Sequence, residues 1–178
     1  MIEIRKLKKE DMNALWMSAF QEEKPWMAFD APFVDEHIPL SYEDFEASRL
    51  ELFLDVDFRQ GIFKDDRLIG LVSYYWESYK TRWLEFGIVI YDETEWGHGL
   101  GSSCAMFWMD QLFAAFPEIE HLGFSTWSGN EAMMGVGDNI GMKLEGRIRK
   151  VRYHEGVYYD ALKYGILRDE WEVKRRMF

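Results

Sequence analysis

Apolar positions recur along this chain with two periods, and each change of period marks a change of element. Ile2, Ile4 and Leu7 alternate as an edge strand, and Asp11 is placed to cap a helix whose apolar face is Met12, Leu15, Trp16, Ala19 and Phe20. Pro25, Pro32 and Pro39 then break regular structure. Between them Trp26-Met27-Ala28-Phe29 reads as a core plug in preference to a lid, because Trp and Phe bury large areas wherever they sit. Ser41-x-x-Asp44 resembles a capping box with Asp in place of Glu, and Phe45 and Leu52 suit a second helix to about Asp55. From Arg59 the period becomes that of strands: residues 61–64, a polar turn at Asp65-Asp66-Arg67, then Leu68 to Trp76. Leu84 to Ile90 alternates poorly, which predicts cover on both faces of that strand.

Further along, Ala105, Trp108, Met109, Leu112, Phe113 and Phe116 return at helical spacing until Pro117 stops them, giving a helix over 102–116. Leu122 to Trp127 is a short strand, and Ser128-x-x-Glu131 is a capping box for a helix weakened by Gly135 and Gly137. Those glycines permit either close packing or room beside a ligand. Met142 to Tyr153 and Val157 to Leu167 pair as a hairpin around His154-Glu155-Gly156. No repeat, low-complexity tract or linker interrupts the pattern, so residues 1–178 are read as a single domain.

Composition changes this picture in two respects. The formal charge of −11 argues against nucleic acid, which is bound by neutralising phosphates with Lys and Arg, and favours a cationic partner. Asp30, Asp35, Glu36, Glu43, Asp44 and Glu46 gather in the segment joining the first two helices. They read first as a solvated, solubilising surface and second as a rim that attracts amines. The single cysteine, Cys104, excludes an internal disulfide and a Cys-based zinc site, and its place in an apolar stripe predicts buried packing. No apolar run is long enough to span a bilayer, and the first residues lack the basic and apolar regions of a signal peptide. A cytoplasmic protein without membrane partners is expected.

The chemistry is concentrated in Trp96-Gly97-His98-Gly99-Leu100-Gly101, which joins a strand to a helix. A helix start carries unpartnered N–H groups and partial positive charge, and glycines there let a pyrophosphate approach the bare backbone. A Walker loop is excluded because no Gly-Lys-Ser/Thr follows. A Rossmann fingerprint is excluded because Cys104 stands where its last glycine belongs. The segment instead resembles the acyl-CoA loop of the GNAT superfamily of N-acetyltransferases, Arg/Gln-x-x-Gly-x-Gly/Ala, with Trp96 in place of Arg/Gln and with Gly99 and Gly101 kept. Asn130-Glu131-Ala132 followed by Gly141-Met142 and Glu145-Gly146 is similar to the next motif of that family. Gly156 to Asp160, then Tyr164-Gly165-Ile166-Leu167 and Glu170-Trp171, resemble the closing strand of its RimJ/RimL-like branch.

The resemblance implies an α/β (α+β) GNAT fold: a mixed, mostly antiparallel, twisted sheet of about seven strands flanked by about four helices. It implies acetyl-CoA as co-substrate, no metal, and a primary amine as acceptor, on a small cationic molecule or on a basic peptide or protein N-terminus. By the same resemblance the main chain of Val89, Ile90 and Tyr91 holds the pantetheine arm. Trp96, Gly97, His98, Gly99, Leu100, Gly101 and Ser102 form the phosphate loop, and Asn130 bonds the cofactor arm unless it serves only as a helix cap. Glu85 matches a position that is acidic in many relatives and is the candidate base, directly or through water. The family often places a Tyr seven residues after the motif Asn to protonate the leaving thiolate, and here that position is Gly137. Water, Tyr91, Tyr158, Tyr159 or the amine itself remain as sources of that proton. Two rivals stand beside the enzyme: an acyl-CoA-binding sensor or assembly module without turnover, and a dinucleotide oxidoreductase, for which the glycine pattern is wrong. A homodimer is left open.

Overall fold

The computed structural model describes residues 1–34 and 37–176. Seven strands form one mixed sheet: β1 (Ile2–Lys6), β2 (Arg59–Lys64), β3 (Arg67–Ser78), β4 (Trp83–Ile90), β5 (His121–Trp127), β6 (Lys143–His154) and β7 (Val157–Leu167), in the order β1-β2-β3-β4-β5-β7-β6. Five α-helices accompany them: α1 (Met12–Ala19), α2 (Tyr42–Arg49), α3 (Leu100–Ala115), α4 (Glu131–Ile140) and α5 (Arg168–Lys174). The last was not anticipated from the pattern, which ran the closing strand motif through Trp171. Among the described residues, no helix is long and apolar enough to cross a membrane. The chain divides into two compact units, Met1–Ser73 with Ile88–Cys104, and Tyr74–Gly87 with Ala105–Phe178.

In the first unit β1, β2 and β3 form an antiparallel ladder with Ile4 opposite Ile62 and Gly61 opposite Leu71. The turn between β2 and β3 uses Asp65 and Asp66 in the left-handed region, which Asp tolerates better than most residues. Leu7, Met12, Leu15, Ala19, Phe45, Phe53, Phe63, Leu68 and Leu71 bury together, so α1 and α2 share this core with β2, β3 and the loops beside them. Asp11 does not cap α1. Its carboxylate accepts from the Lys8 N–H at 2.7 Å and from Arg5 at 2.7 and 3.1 Å, tying a preceding 3₁₀ turn to β1. Ser41 caps α2 as expected, accepting from the Asp44 N–H at 3.1 Å. That helix ends at Arg49 instead of Asp55, and a 3₁₀ turn over Leu50–Leu52 follows. The Trp26 segment is a 3₁₀ turn whose indole N–H donates to the Ser18 carbonyl at 3.0 Å and packs on the α1–α2 core, as a plug does. Asp30, Glu43, Asp44 and Glu46 are exposed, while Asp35 and Glu36 lie outside the described residues.

In the second unit β5 and β7 are antiparallel with Ser125 opposite Lys163, and β7 continues to β6 as the expected hairpin. Tyr74 and Trp76 of β3 pack on Phe116, and Tyr74 also on Trp108 of α3. Phe86, Phe124 and Tyr164 form an aromatic row on β4, β5 and β7, the last two stacked at 5.0 Å. The Arg168 guanidinium donates to the carbonyls of Phe113, Phe116 and Ile119, so the start of α5 satisfies the open end of α3. Ser128 does not cap α4. Its hydroxyl accepts from the Asp160 N–H of β7 at 2.9 Å, and Asn130 takes the cap. Cys104 is buried, and burial pushes its thiol up to about 11.

Two carboxylates of the first unit predict how it responds to acid. Bonds from Thr94 and Arg67 hold Asp92 down to about 2; burial opposes a low value at Asp11, but Arg5 and the Lys8 N–H prevail. Folding therefore lowers both values, and the folded state binds fewer protons than the unfolded chain. Their contribution is complete above about pH 4 and is lost as pH falls toward 2. Thermal melts followed by circular dichroism at pH 2.5, 4 and 7 should show little change between 7 and 4 and a marked drop at 2.5. Asp92→Asn should flatten part of that drop.

Candidate active site

The glycine segment is built from β4 onward. The Tyr91 N–H donates to the Ile69 carbonyl at 2.8 Å, and Gly70 on β3 lets the chain come close: a Cβ there would lie 2.4 Å from the Val89 carbonyl oxygen. Asp92 then opens a 3₁₀ turn, Glu93–Glu95, by accepting from Thr94 N at 3.0 Å. Arg67 pairs with Asp92, and Lys64 pairs with Glu95 at 2.7 Å, so β3 and β2 each supply a cation to a carboxylate of this segment. Trp96 turns inward, donating its indole N–H to the Ile90 carbonyl at 2.9 Å and meeting Phe29 edge-on at 5.7 Å. Its side chain fastens the loop, and that is what the structure puts where the resembled motif has Arg or Gln.

Beyond Trp96 the backbone turns twice through the left-handed region, at Gly97 (φ +78°) and Gly99 (φ +75°), and a Cβ at either would meet nothing within 4 Å. Glycine is required there by conformation, and the space beside it is open. The Ser103 N–H reaches back to the Gly99 carbonyl at 3.1 Å, which makes Gly99 the residue before the first turn of α3 and starts that helix two residues earlier than the pattern suggested. Gly97, His98 and Gly99 are exposed, while Leu100, Gly101 and Ser102 are half-buried. The first N–H groups of α3 have no carbonyl within the helix to receive them, and the helix dipole adds positive potential. This segment is chemically suited to an anion without a lysine or arginine of its own. Tyr91, the half-buried neighbour of Trp26 at 5.2 Å, has its hydroxyl pKa raised by burial, with Asp30 adding to the effect.

Glu85 and Asn130 belong to the second unit. Asn130 accepts from the Met133 N–H at 3.0 Å as the cap of α4, and Gly141 (φ +74°) ends that helix. The Asn-to-Gly motif spacing is thus the length of α4. Gly137 faces inward: a Cβ there would lie 2.8 Å from the Tyr164 ring and 3.0 Å from Phe124. Of the two readings open for it, close packing is the one observed, and any side chain at 137 would enter the aromatic row.

Glu85 is only 1% exposed. Its Oε2 accepts from the Tyr75 hydroxyl at 2.7 Å and the Ser125 hydroxyl at 2.6 Å, and its Oε1 accepts from Lys163 Nζ at 2.7 Å. The same ammonium reaches Glu77 Oε1 at 2.7 Å and lies 4.8 Å from the Trp83 ring centroid. Strand alternation brings these groups together. Tyr75 and Glu77 are two apart on β3, Trp83 and Glu85 two apart on β4, and Ser125 on β5 is opposite Lys163 on β7. Two carboxylates share one ammonium, leaving one negative charge. Burial alone would lower the Lys163 pKa, but bonds to Glu77 and Glu85 hold it above its ordinary value. Tyr75, 44% exposed, has its hydroxyl pKa raised by burial of its tip and by Glu85. None of Tyr75, Glu77, Ser125 and Lys163 was singled out from sequence. The parity of Tyr75 with Glu77 was visible there, but their meeting with Glu85 depends on sheet order.

The architecture defines a class: an α/β protein whose mixed seven-stranded sheet passes from its fourth strand through a glycine turn into a helix start. Residues 2–143 match the acetyltransferase (GNAT) domain, and the chain belongs to that family. It is 29% identical over 117 residues to the provisionally named ribosomal N-acetyltransferase YdaF of Bacillus subtilis (strain 168), a match covering 65% of this chain and 62% of that protein, under two thirds of its length. Among solved structures it resembles a spermidine N-acetyltransferase of Vibrio cholerae in complex with CoA and spermine, with TM-score 0.76, 18% identity, and 96% and 98% of the two chains covered. An acetyltransferase of the GNAT family from Bacillus anthracis gives 0.73 and 18%, covering 95% and 96%. At these identities the structures speak for the fold, and the GNAT fold expected from the motifs is the one observed.

Proposed function

We propose that this chain is a single-domain, cytoplasmic N-acetyltransferase of the RimJ/RimL-like branch, which moves an acetyl group from acetyl-CoA to a primary amine. The observation that carries the reading is the pair of left-handed glycines, Gly97 and Gly99, with open space beside them at the start of α3, in a chain of this family. There the N–H groups of Gly97 to Ser102 would receive the phosphates of the co-substrate, and the main chain of Val89, Ile90 and Tyr91 would hold its arm. Acetyl-CoA supplies an activated acyl carbon. The protein supplies orientation and a place for the amine's proton, and Glu85 is the buried carboxylate that takes it.

The acceptor is a small cationic amine or a basic peptide N-terminus. Glu77, Glu85 and Lys163 carry one net negative charge between them, and two exposed aromatic residues, Tyr75 and Trp83, touch the same cluster, a pairing that attracts ammonium groups. The charge of −11 acts in the same direction at longer range. Inward-facing Gly137, which leaves the usual tyrosine role unfilled, favours a second reading, an acyl-CoA sensor without turnover. Calorimetry with acetyl-CoA, followed by steady-state CoA release with a polyamine, an amino acid, an aminoglycoside and a basic peptide, separates the two. Micromolar binding with CoA release supports the enzyme, binding without release supports the sensor, and no binding ends both.

A further inference from the structure

Glu85 lies too deep to touch an amine. Both its oxygens are occupied, Oε1 by the Lys163 ammonium and Oε2 by two hydroxyls, and only 1% of its surface is exposed. A proton can reach it only through one of those partners. Lys163 already carries its full complement of protons, held by two carboxylates. Ser125 is exposed as well, but its side chain is short, offers a cation no aromatic surface, and stands opposite Lys163 in the β5–β7 ladder. Tyr75, itself 44% exposed, differs in carrying an aromatic ring, a surface on which an ammonium can rest, beside a hydroxyl that donates to Oε2 at 2.7 Å.

We propose that Tyr75 is the residue that touches the acceptor amine and relays its proton to Glu85. The assignment rests on the acetyltransferase reading above and adds the path. The ammonium N–H bond breaks, its proton joins the Tyr75 oxygen, and the Tyr75 O–H bond breaks as its own proton passes to Glu85 Oε2. Tyr75 ends as it began, the amine keeps its lone pair, and Glu85 becomes neutral. When the amide forms, the nitrogen's second surplus proton goes to the departing thiol. The proton on Glu85 later returns to solvent by the same hydroxyl, so one proton is released per turnover.

Charge makes Glu85 a suitable endpoint. Before transfer, Glu77 and Glu85 share one ammonium; afterwards Lys163 and Glu77 remain as a one-to-one pair at 2.7 Å. The cluster moves from one net negative charge to none, and no charge is left buried without a partner. Lys163 is a positioning residue in this scheme. The groups facing the Tyr75 hydroxyl are Glu77 from its own strand, Glu85 from β4, Ser125 from β5 and, through both carboxylates, Lys163 from β7.

The test is steady-state kinetics from pH 6 to 10 on the unaltered protein, Tyr75→Phe, Glu85→Gln, the double variant and Ser125→Ala, with the best acceptor of the amine panel. Tyr75→Phe should lower kcat at pH 7 by roughly 100-fold with KM for acetyl-CoA unchanged. Its deficit should shrink about tenfold per pH unit toward the amine's own pKa, because free amine needs no relay. The double variant should be no slower than Glu85→Gln, as expected for two groups on one path, and Ser125→Ala, which removes one bond to Glu85 but not the relay, should lose less than Tyr75→Phe, with a deficit that does not shrink as pH rises. A Tyr75→Phe rate within twofold of the unaltered protein at pH 7, or a deficit that does not change with pH, overturns the relay while leaving the acetyltransferase reading standing. A 100-fold loss in Ser125→Ala moves the path to Ser125 and overturns it too. Acetyl-CoA binding with no turnover of any amine by the unaltered protein overturns both.

Discussion

Gly99→Glu should lose acetyl-CoA binding by at least 100-fold while keeping the fold. Two effects combine, and they can be separated. At φ +75° any side chain is strained by about 1–2 kcal/mol. There is no clash to add to this, because a Cβ at that position meets nothing within 4 Å. The larger effect is electrostatic. A carboxylate placed before the first turn of α3, about 4 Å from a phosphate, costs on the order of 4 kcal/mol at an effective dielectric of about 20, close to a thousandfold in affinity. Gly99→Ala carries the strain alone and should lose no more than about tenfold. Calorimetry on the three proteins, with circular dichroism melts as the check on folding, measures both contributions. If Gly99→Glu binds acetyl-CoA as the unaltered protein does, the glycine turn is not the phosphate site.

Gly137→Tyr should be the most destabilising single change on α4. A Cβ at 137 already lies 2.8 Å from the Tyr164 ring and 3.0 Å from Phe124, and a whole phenol has to displace the stacked pair. Overpacking of this kind costs about 1–3 kcal/mol for small additions and more for a ring. A loss of about 4 kcal/mol lowers Tm by roughly 8–16 °C in a chain of this size. Gly135 on the same helix is the control, since a Cβ there meets nothing within 4 Å. Gly135→Ala should raise stability by about 0.5–1 kcal/mol through helix propensity. Thermal melts of the two variants decide the matter, and a Gly137→Tyr protein as stable as the unaltered one would mean that α4 packs differently. A tyrosine on this turn of α4 would point into the aromatic row of Phe124 and Tyr164.

Local patterns were legible because they depend on neighbours a few residues apart. The hairpin of β6 and β7, the stop of α3 before Pro117, the turn at Asp65-Asp66 and the Ser41 cap were all read from sequence. The glycine segment was read in the same way, since a left-handed turn before a helix needs glycine wherever the rest of the chain goes. Where a polar residue had two partners to choose between, sequence chose the nearer one and was wrong. Asp11 was assigned to α1 and bonds Arg5 of β1; Ser128 was assigned to α4 and bonds Asp160 of β7. For Asp11 the competitors lie just upstream in the chain, at Arg5 and Lys8; for Ser128 the competitor is a strand 32 residues away that tertiary pairing brings in.

By itself, then, the sequence determined the seven strands, four of the five α-helices, the left-handed glycine turn and the acidic balance, since each rests on short-range sterics, periodicity or a count of charges. Only the tertiary structure decided that Glu85 is sealed from solvent and bound to Tyr75, Ser125 and Lys163. Lys163 is 78 residues away along the chain, and what brings it to Glu85 is the sheet order β4-β5-β7, in which β5 lies between their strands. A pairwise hydrogen bond across three strands has no periodic signature, because its cause is the folding of the whole sheet.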